Sequence, residues 1–220
     1  MRVAVLASGG GTNLQALLDT CRGSAPARVV LVACNKPDAG ALDRARKAGV
    51  DTHVMENPAD GPAMIAVLQQ HEVDLVVLAG YLKLIPEEVV VAYDGRMINI
   101  HPALLPAFGG PGMYGMRVHR AVLESGATIS GPTVHLVDPE YDRGRIVAQW
   151  PVPVAPDDTA ETLQERVLAI EHQLLPAVVL NAAIAGGVTR LLANGDSFQS
   201  SSGGGVTLSD SLHQPNDRKS

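Results

Sequence analysis

Aromatic residues are scarce: one Trp, four Tyr and two Phe make up 3% of the 220 residues. With an apolar fraction of 46%, too high for a disordered chain, the core must come from Val, Leu, Ile and Ala. Cysteine is nearly absent. Cys21 and Cys34 form no C-x-x-C pair, and a chain of this size needs no disulfide, so both read as reduced thiols. Basic excess is also missing, with 17 Lys and Arg against 23 Asp and Glu and a formal charge of -6. A duplex nucleic-acid binder would show a basic stripe, so no nucleic-acid partner is expected. An anionic small molecule stays open, because a few backbone amides hold a phosphate without net positive charge. The first apolar run, residues 3–7, stops at Ser8-Gly9-Gly10-Gly11. It is too short for a signal peptide or a membrane span and reads as a strand, so a cytoplasmic protein with no membrane partner is expected.

That run is continuous, as in a strand buried on both faces. Further strands are expected over 29–33, 52–55, 75–79 and 98–100, with helical spacing over 13–18, 41–48 and 63–71. Strand and helix thus alternate over the first hundred residues. The fold class expected is α/β, a Rossmann-like, mostly parallel sheet flanked by helices. Residues 128–137 and 145–152 then form two long β-like stretches joined by the short loop 138–144. So short a loop excludes a parallel crossover and predicts an antiparallel strand pair in the C-terminal half. Residues 159–184 carry helical spacing with Pro176 inside and Thr159 as a plausible cap. One domain over 1–192 is expected, followed by a flexible polar tail, 193–220, whose Ser/Gly-rich sequence offers little apolar area to bury.

Three constellations carry chemistry. The turn Ser8-Gly9-Gly10-Gly11-Thr12-Asn13-Leu14 follows a strand and opens a helix, where free amides can hold a phosphate. It is neither a dinucleotide fingerprint, since Leu14 replaces the third glycine, nor a P-loop, since no Gly-Lys-Ser/Thr follows. In Ile98-Asn99-Ile100-His101-Pro102 the strand period turns Asn99 and His101 to one face, at the carboxyl end of a strand where open α/β sheets place their sites. An amide and an imidazolium are both good donors to a developing oxyanion. Asp142 lies in the loop after Thr133-Val134-His135-Leu136-Val137, which can lean over the same sheet edge. A carboxylate there would favour a charged His101 and raise its pKa.

These elements, with Asn35-Lys36, the segment from Leu78 through Gly80-Tyr81-Leu82-Lys83-Leu84, Leu104-Leu105-Pro106, Gly131-Pro132-Thr133-Val134-His135 and Tyr141-Asp142-Arg143-Gly144, stand in an order that resembles the phosphoribosylglycinamide formyltransferase family. These are the short folate-dependent formyltransferases of purine biosynthesis, and the resemblance covers residues 1–190. It implies that 10-formyltetrahydrofolate is the formyl donor and co-substrate, that glycinamide ribonucleotide is the acceptor, and that no metal is used. It implies a catalytic trio of Asn99, His101 and Asp142. It implies that Gly11, Thr12 and Asn13 bind the ribonucleotide phosphate and Glu171 its ribose side. Leu82, Lys83, Leu84 and Ile85, with Asn99, Asp138, Pro139, Glu140, Tyr141 and Asp142, would enclose the folate. Lys83 stands where an arginine is common, 58–66 lacks an arginine of close relatives, and Leu168 replaces a polar residue. The loop Phe108-Gly109-Gly110-Pro111-Gly112-Met113-Tyr114-Gly115 is longer than usual and glycine-rich, as suits a lid or folate-side loop.

The acceptor amine would attack the formyl carbon, with Asn99 and cationic His101 stabilising the oxyanion and Asp142 holding His101 charged. A monomer or homodimer acting on small molecules is expected. Three other readings compete. One is a sister formyltransferase or formyltetrahydrofolate hydrolase, less favoured because such enzymes carry an extra N- or C-terminal domain. Another is a non-catalytic nucleotide-binding module, which the Asn99–His101 pair opposes. The third is a metal hydrolase using His101, His135 and Asp142, for which no H-E-x-x-H or similar ligand spacing is present.

Overall fold

The continuous apolar run at the N-terminus becomes β1 (Arg2–Ala7), in which every residue from Val3 to Ala7 is fully buried. A computed structural model describes residues 1–194, 197–200 and 205–207. After β1 come α1 (Thr12–Thr20), β2 (Arg28–Cys34), α2 (Gly40–Lys47), β3 (Asp51–Val54), α3 (Gly61–Gln70), β4 (Leu75–Leu78), α4 (Glu87–Ala92) and β5 (Met97–His101). The second half contains α5 (Met116–Glu124), β6 (Ile129–Ser130), β7 (Thr133–Leu136), β8 (Ile146–Gln149), β9 (Val152–Pro153) and α6 (Ala160–Ala185). It ends in β10 (Leu191–Asn194), β11 (Ser197–Ser200) and β12 (Gly205–Thr207).

The main sheet has seven strands in the order β3-β2-β1-β4-β5-β7-β8, parallel from β3 to β5. The strand period sorts its core into two layers. Val3, Val5 and Ala7 face Leu14 and Leu17 of α1, Leu42 of α2 and Leu174 of α6. Ala4 and Leu6 face Met64 and Leu68 of α3 and Val89 of α4. Each such buried leucine contributes about 1.5–3 kcal/mol. α6 is long and apolar enough to cross a membrane by length and composition, but its apolar face is buried inside the protein. Its start follows the sequence, with a capping box between Thr159 and Thr162. Cys21 and Cys34 are buried and unpaired, and burial pushes both thiols up to about 11.

The antiparallel pair forms as expected, with Thr133 opposite Gln149 and Val134 opposite Ala148, and β7 also pairs antiparallel with β5. Each long extended stretch is nevertheless divided. Gly131-Pro132 breaks the first, because Pro132 has no N–H to give and Gly131, at φ 133°, passes against the Trp150 carbonyl. Trp150-Pro151 breaks the second, and the severed ends pair separately as β6 and β9. Two helices escaped the sequence reading. α4 is only six residues long, and α5 shows its period through Val118, His119 and Val122, all buried.

Residues 193–220, expected as a flexible polar tail, include the end of β10 together with β11 and β12, which form a three-stranded antiparallel sheet. The expectation weighed side-chain polarity alone, whereas a ladder satisfies backbone N–H and C=O groups whatever the side chains. Residues 195–196, 201–204 and 208–220 lie outside the described residues.

Candidate active site

The carboxyl ends of β4 and β5 open onto a cavity of about 430 Å³, where an open α/β sheet places its ligands. Asn99 and His101 line it from β5, and Asp138, Glu140, Tyr141 and Asp142 from the loop after β7. Leu82, Lys83, Leu84 and Ile85 line it after β4, and Asn13 and Glu171 from the α1 and α6 side. Gly11, Thr12 and Pro139 do not. Gly11 and Thr12 stand at the α1 start, and Pro139 borders a second cavity of about 740 Å³. Gly110 and Asp142 line both cavities.

The expected trio is brought together. Asp142 Oδ2 lies 3.5 Å from His101 Nδ1, with the two side chains 10% and 4% exposed. Asp142 Oδ1 lies 3.4 Å from Asn99 Nδ2, a long and weak contact. Asp142 holds φ 58°, a left-handed backbone uncommon outside glycine, which aims the carboxylate back over the sheet edge. Its burial would raise the carboxyl pKa, but His135, the charge of His101 and the Gly110 amide outweigh burial and hold it below the ordinary carboxylate range.

The expected charge on His101 needs correction. Burial is the largest influence and lowers its pKa below the ordinary imidazole value, while Asp142 acts in the opposite, expected sense but more weakly. The two expected oxyanion donors are moreover engaged within the protein. His101 Nε2 donates to Phe108 O at 2.8 Å, and Asn99 Nδ2 is 3.0 Å from His135 Nε2. A group approaching either donor must therefore displace an internal acceptor.

His135 is the member the sequence reading placed only in a metal site. The β5–β7 register sets it directly opposite Asn99. Its Nδ1 lies 2.8 Å from Leu136 O, and its Nε2 lies 3.0 Å from Asn99 Nδ2 and 3.5 Å from Asp142 Oδ1. The alternation Thr133-Val134-His135 was the signal available in sequence. Thr133 fixes the neighbouring turn, its Oγ1 donating to Ala103 O at 2.7 Å and accepting from Leu105 N–H at 3.0 Å. His119 of α5 also lines the cavity. Burial first and His101 second push its pKa down to about 4, and its Nδ1 has no partner among the described residues.

The glycine-rich loop caps the trio from above. Gly110 N–H donates to Asp142 Oδ2 at 2.9 Å, next to the Phe108 O bond to His101. Gly109 leaves little room between them, since a Cβ there would come 2.5 Å from Leu105 Cδ2 and 3.1 Å from Asp142 Cβ, so a side chain must push one of them aside.

On the other side, Asn13 Nδ2 donates to Glu171 Oε2 at 2.6 Å, joining the first turn of α1 to the middle of α6. Glu171 is deeply buried, and burial pushes its carboxyl up to about 7, with Asn13 pulling the other way. Ser8 links this end to the 82–85 segment, its Oγ donating to Asn35 Oδ1 at 2.6 Å and accepting from Leu82 N–H at 3.0 Å. Leu82, Leu84 and Tyr141 are 46%, 48% and 38% exposed, an apolar rim at the mouth suited to a flat ring system. Among the described residues no group of three or more His, Cys, Asp or Glu side chains is arranged to hold a metal ion.

Residues 1–179 match the formyl transferase family. The chain is 50% identical over 186 residues to the chloroplastic phosphoribosylglycinamide formyltransferase of Arabidopsis thaliana, a match covering 81% of this chain and 64% of that protein. It thus spans a little under two thirds of that plant relative. It is 38% identical over 185 residues to the phosphoribosylglycinamide formyltransferase of Haemophilus influenzae, covering 81% of this chain and 85% of that one. The crystal structure of glycinamide ribonucleotide transformylase 1 from Symbiobacterium toebii superposes with a TM-score of 0.78 at 42% identity, over 89% of this chain and 91% of that one.

Proposed function

The chain belongs to the formyl transferase family, and we propose that it transfers the formyl group of 10-formyltetrahydrofolate to the amine of glycinamide ribonucleotide in purine biosynthesis. One observation carries this reading: a single cavity joins the Asn99–His101–Asp142 cluster to the buried Asn13–Glu171 pair, with the glycine turn beside that pair. The first group suits acyl transfer, and the second end suits a phosphorylated amine. The folate is a substrate here, held by Leu82, Lys83, Leu84 and Ile85 and by the loop from Asp138 through Pro139, Glu140 and Tyr141 to Asp142. Gly11, Thr12 and Asn13 bind the phosphate, and Glu171 accepts from the ribose or the amine.

His101 Nε2, released from Phe108 O, donates to the carbonyl oxygen as it becomes negative. Asn99 Nδ2, giving up its 3.4 Å contact with Asp142, donates to the same oxygen. A preorganised donor of this kind is worth about 3–4 kcal/mol. Asp142, ionised at rest, stabilises cationic His101, takes the proton from the attacking amine and gives it to the departing folate nitrogen. The C–N bond to the amine forms first as the carbonyl pair moves onto oxygen, and collapse of that oxyanion then breaks the bond to the folate nitrogen, so no oxidant is called for.

The enzyme domain of this proposal spans residues 1–192 and acts as a monomer or homodimer in the cytoplasm. The Arabidopsis relative is named as chloroplastic, so compartment belongs to the proposal. The decisive assay follows folate release with glycinamide ribonucleotide, other amine acceptors, or water alone. Release that requires the ribonucleotide supports the reading, and equal release in water overturns it in favour of a hydrolase.

A further inference from the structure

The glycine turn before α1 is held from behind by α2. Ala41 N–H donates to Gly9 O at 3.1 Å, and the Arg44 Nε–H donates to the next carbonyl, Gly10 O, at 2.7 Å. The same guanidinium reaches forward, Nη1 donating to Gln15 Oε1 at 3.1 Å. Gly11, at φ 74°, is pressed so closely to α2 that a Cβ would lie 2.8 Å from Ala41 Cα and Cβ. Two successive carbonyls therefore point toward α2.

In a planar trans peptide the C=O and the following N–H point in opposite directions. Fixing Gly9 O and Gly10 O on α2 turns the amides of Gly10 and Gly11 away from it. Neither amide has an acceptor among the described residues. They join the Thr12 and Asn13 amides, which as the first of a helix have no intrahelical partner. The result is a concave row of donors of the kind that receives an anion. Of the hydrogen bonds that hold the turn, Ala41 N–H to Gly9 O is a backbone one. Arg44 is the side chain that orients the Gly10–Gly11 peptide, a bond between glycines that would otherwise flip freely.

We infer that Arg44 is a positioning residue for phosphate recognition, holding the amide row of the glycine turn in its anion-binding shape through Gly10 O. This rests on the phosphate reading of the turn given above. Lysine keeps the charge but lacks the planar fork that bridges Gly10 O and Gln15 Oε1, so charge alone cannot replace it.

The test compares wild type, Arg44→Gln and Arg44→Lys with glycinamide ribonucleotide and with the same acceptor lacking its phosphate. In both variants the KM for the phosphorylated acceptor should rise about tenfold, the effect of losing one charge-assisted hydrogen bond. The kcat, the folate KM and the kinetics with the dephosphorylated acceptor should stay within about twofold of wild type. Gln15→Ala, which frees one arm of the guanidinium, should raise the same KM by a few fold and keeps the test open if Arg44→Gln folds poorly. Full rescue by lysine, wild-type kinetics in both variants, or equal loss with both acceptors overturns the inference. A wild-type enzyme that transfers formyl groups without preferring the phosphorylated acceptor overturns the phosphate reading itself, a failure seen before any variant is made.

Discussion

Asp142 Oδ2 lies 3.5 Å from His101 Nδ1 and accepts the Gly110 N–H at 2.9 Å, so one carboxylate oxygen serves the imidazole and the loop that covers it. His101 is bound to that loop from its other nitrogen, through Phe108 O at 2.8 Å. Loop position and imidazole charge are therefore linked. With the loop down, His101 is 3% exposed and burial dominates its pKa. Lifting the loop removes the largest lowering influence and one weaker raising one, the bond to Phe108.

Gly109→Val should pry the loop up, because the new side chain meets Leu105 and Asp142. The expected outcome is a His101 pKa that rises toward the ordinary imidazole value, followed by NMR titration of the ring protons. A pKa that stays put or falls would show that burial by the loop does not set it. The fold should survive, since Gly109 lies outside the core layers.

Asp142→Asn should act in the opposite sense. The aspartate raises the His101 pKa, so its loss lowers that pKa further. A reaction that needs cationic His101 loses rate as pH rises through that pKa, and the loss should begin at lower pH in the variant. Turnover should fall about a hundredfold, with both substrate KM values changed less. A pH–rate profile superimposable on wild type, or shifted upward, would contradict this.

The parallel half of the fold was legible because its strands are continuous apolar runs, as in Val3 to Ala7, and because Gly-rich turns end them. Asn99, His101 and Asp142 could be singled out for a similar reason: strand period and loop length are local properties. The charge state of His101 was not legible. It depends on burial by Phe108 and Gly110, and the weight of burial against one carboxylate is set by packing. His135 was read only as a metal ligand because its partner, Asn99, lies 36 residues away and meets it through strand register alone. The splitting of 128–137 was readable in Gly131-Pro132, since proline cannot continue a ladder.

His135→Ala should test the register pairing. It removes the ring nitrogen 3.0 Å from Asn99 Nδ2, leaving the amide free to turn toward Asp142 alone. Turnover should drop about tenfold with little change in folate KM, and stability should fall by about 1 kcal/mol for the lost hydrogen bond. His135→Gln, which can still present an acceptor, should recover part of the turnover. Equal turnover in the alanine variant and wild type would mean that Asn99 needs no such orientation.

Glu171 offers a prediction about stability. Its folded pKa is raised to about 7 from the ordinary glutamate value of 4.5, so between these two values the folded state holds a proton that the unfolded chain has released. Stability is then full below about pH 4.5 and falls as pH rises toward about 7, above which the ionised carboxylate remains buried at constant cost. The full shift corresponds to about 3 kcal/mol, or roughly 6–12 °C in melting temperature for a domain of this size. Glu171→Gln carries no titrating group and keeps an acceptor for Asn13 Nδ2, so its melting temperature should lose this component of the pH dependence. Melting curves of both proteins from pH 5 to 8 should converge at the acid end, with the variant gaining on wild type as pH rises. Parallel curves across that range would place Glu171 in a site where its charge is already compensated.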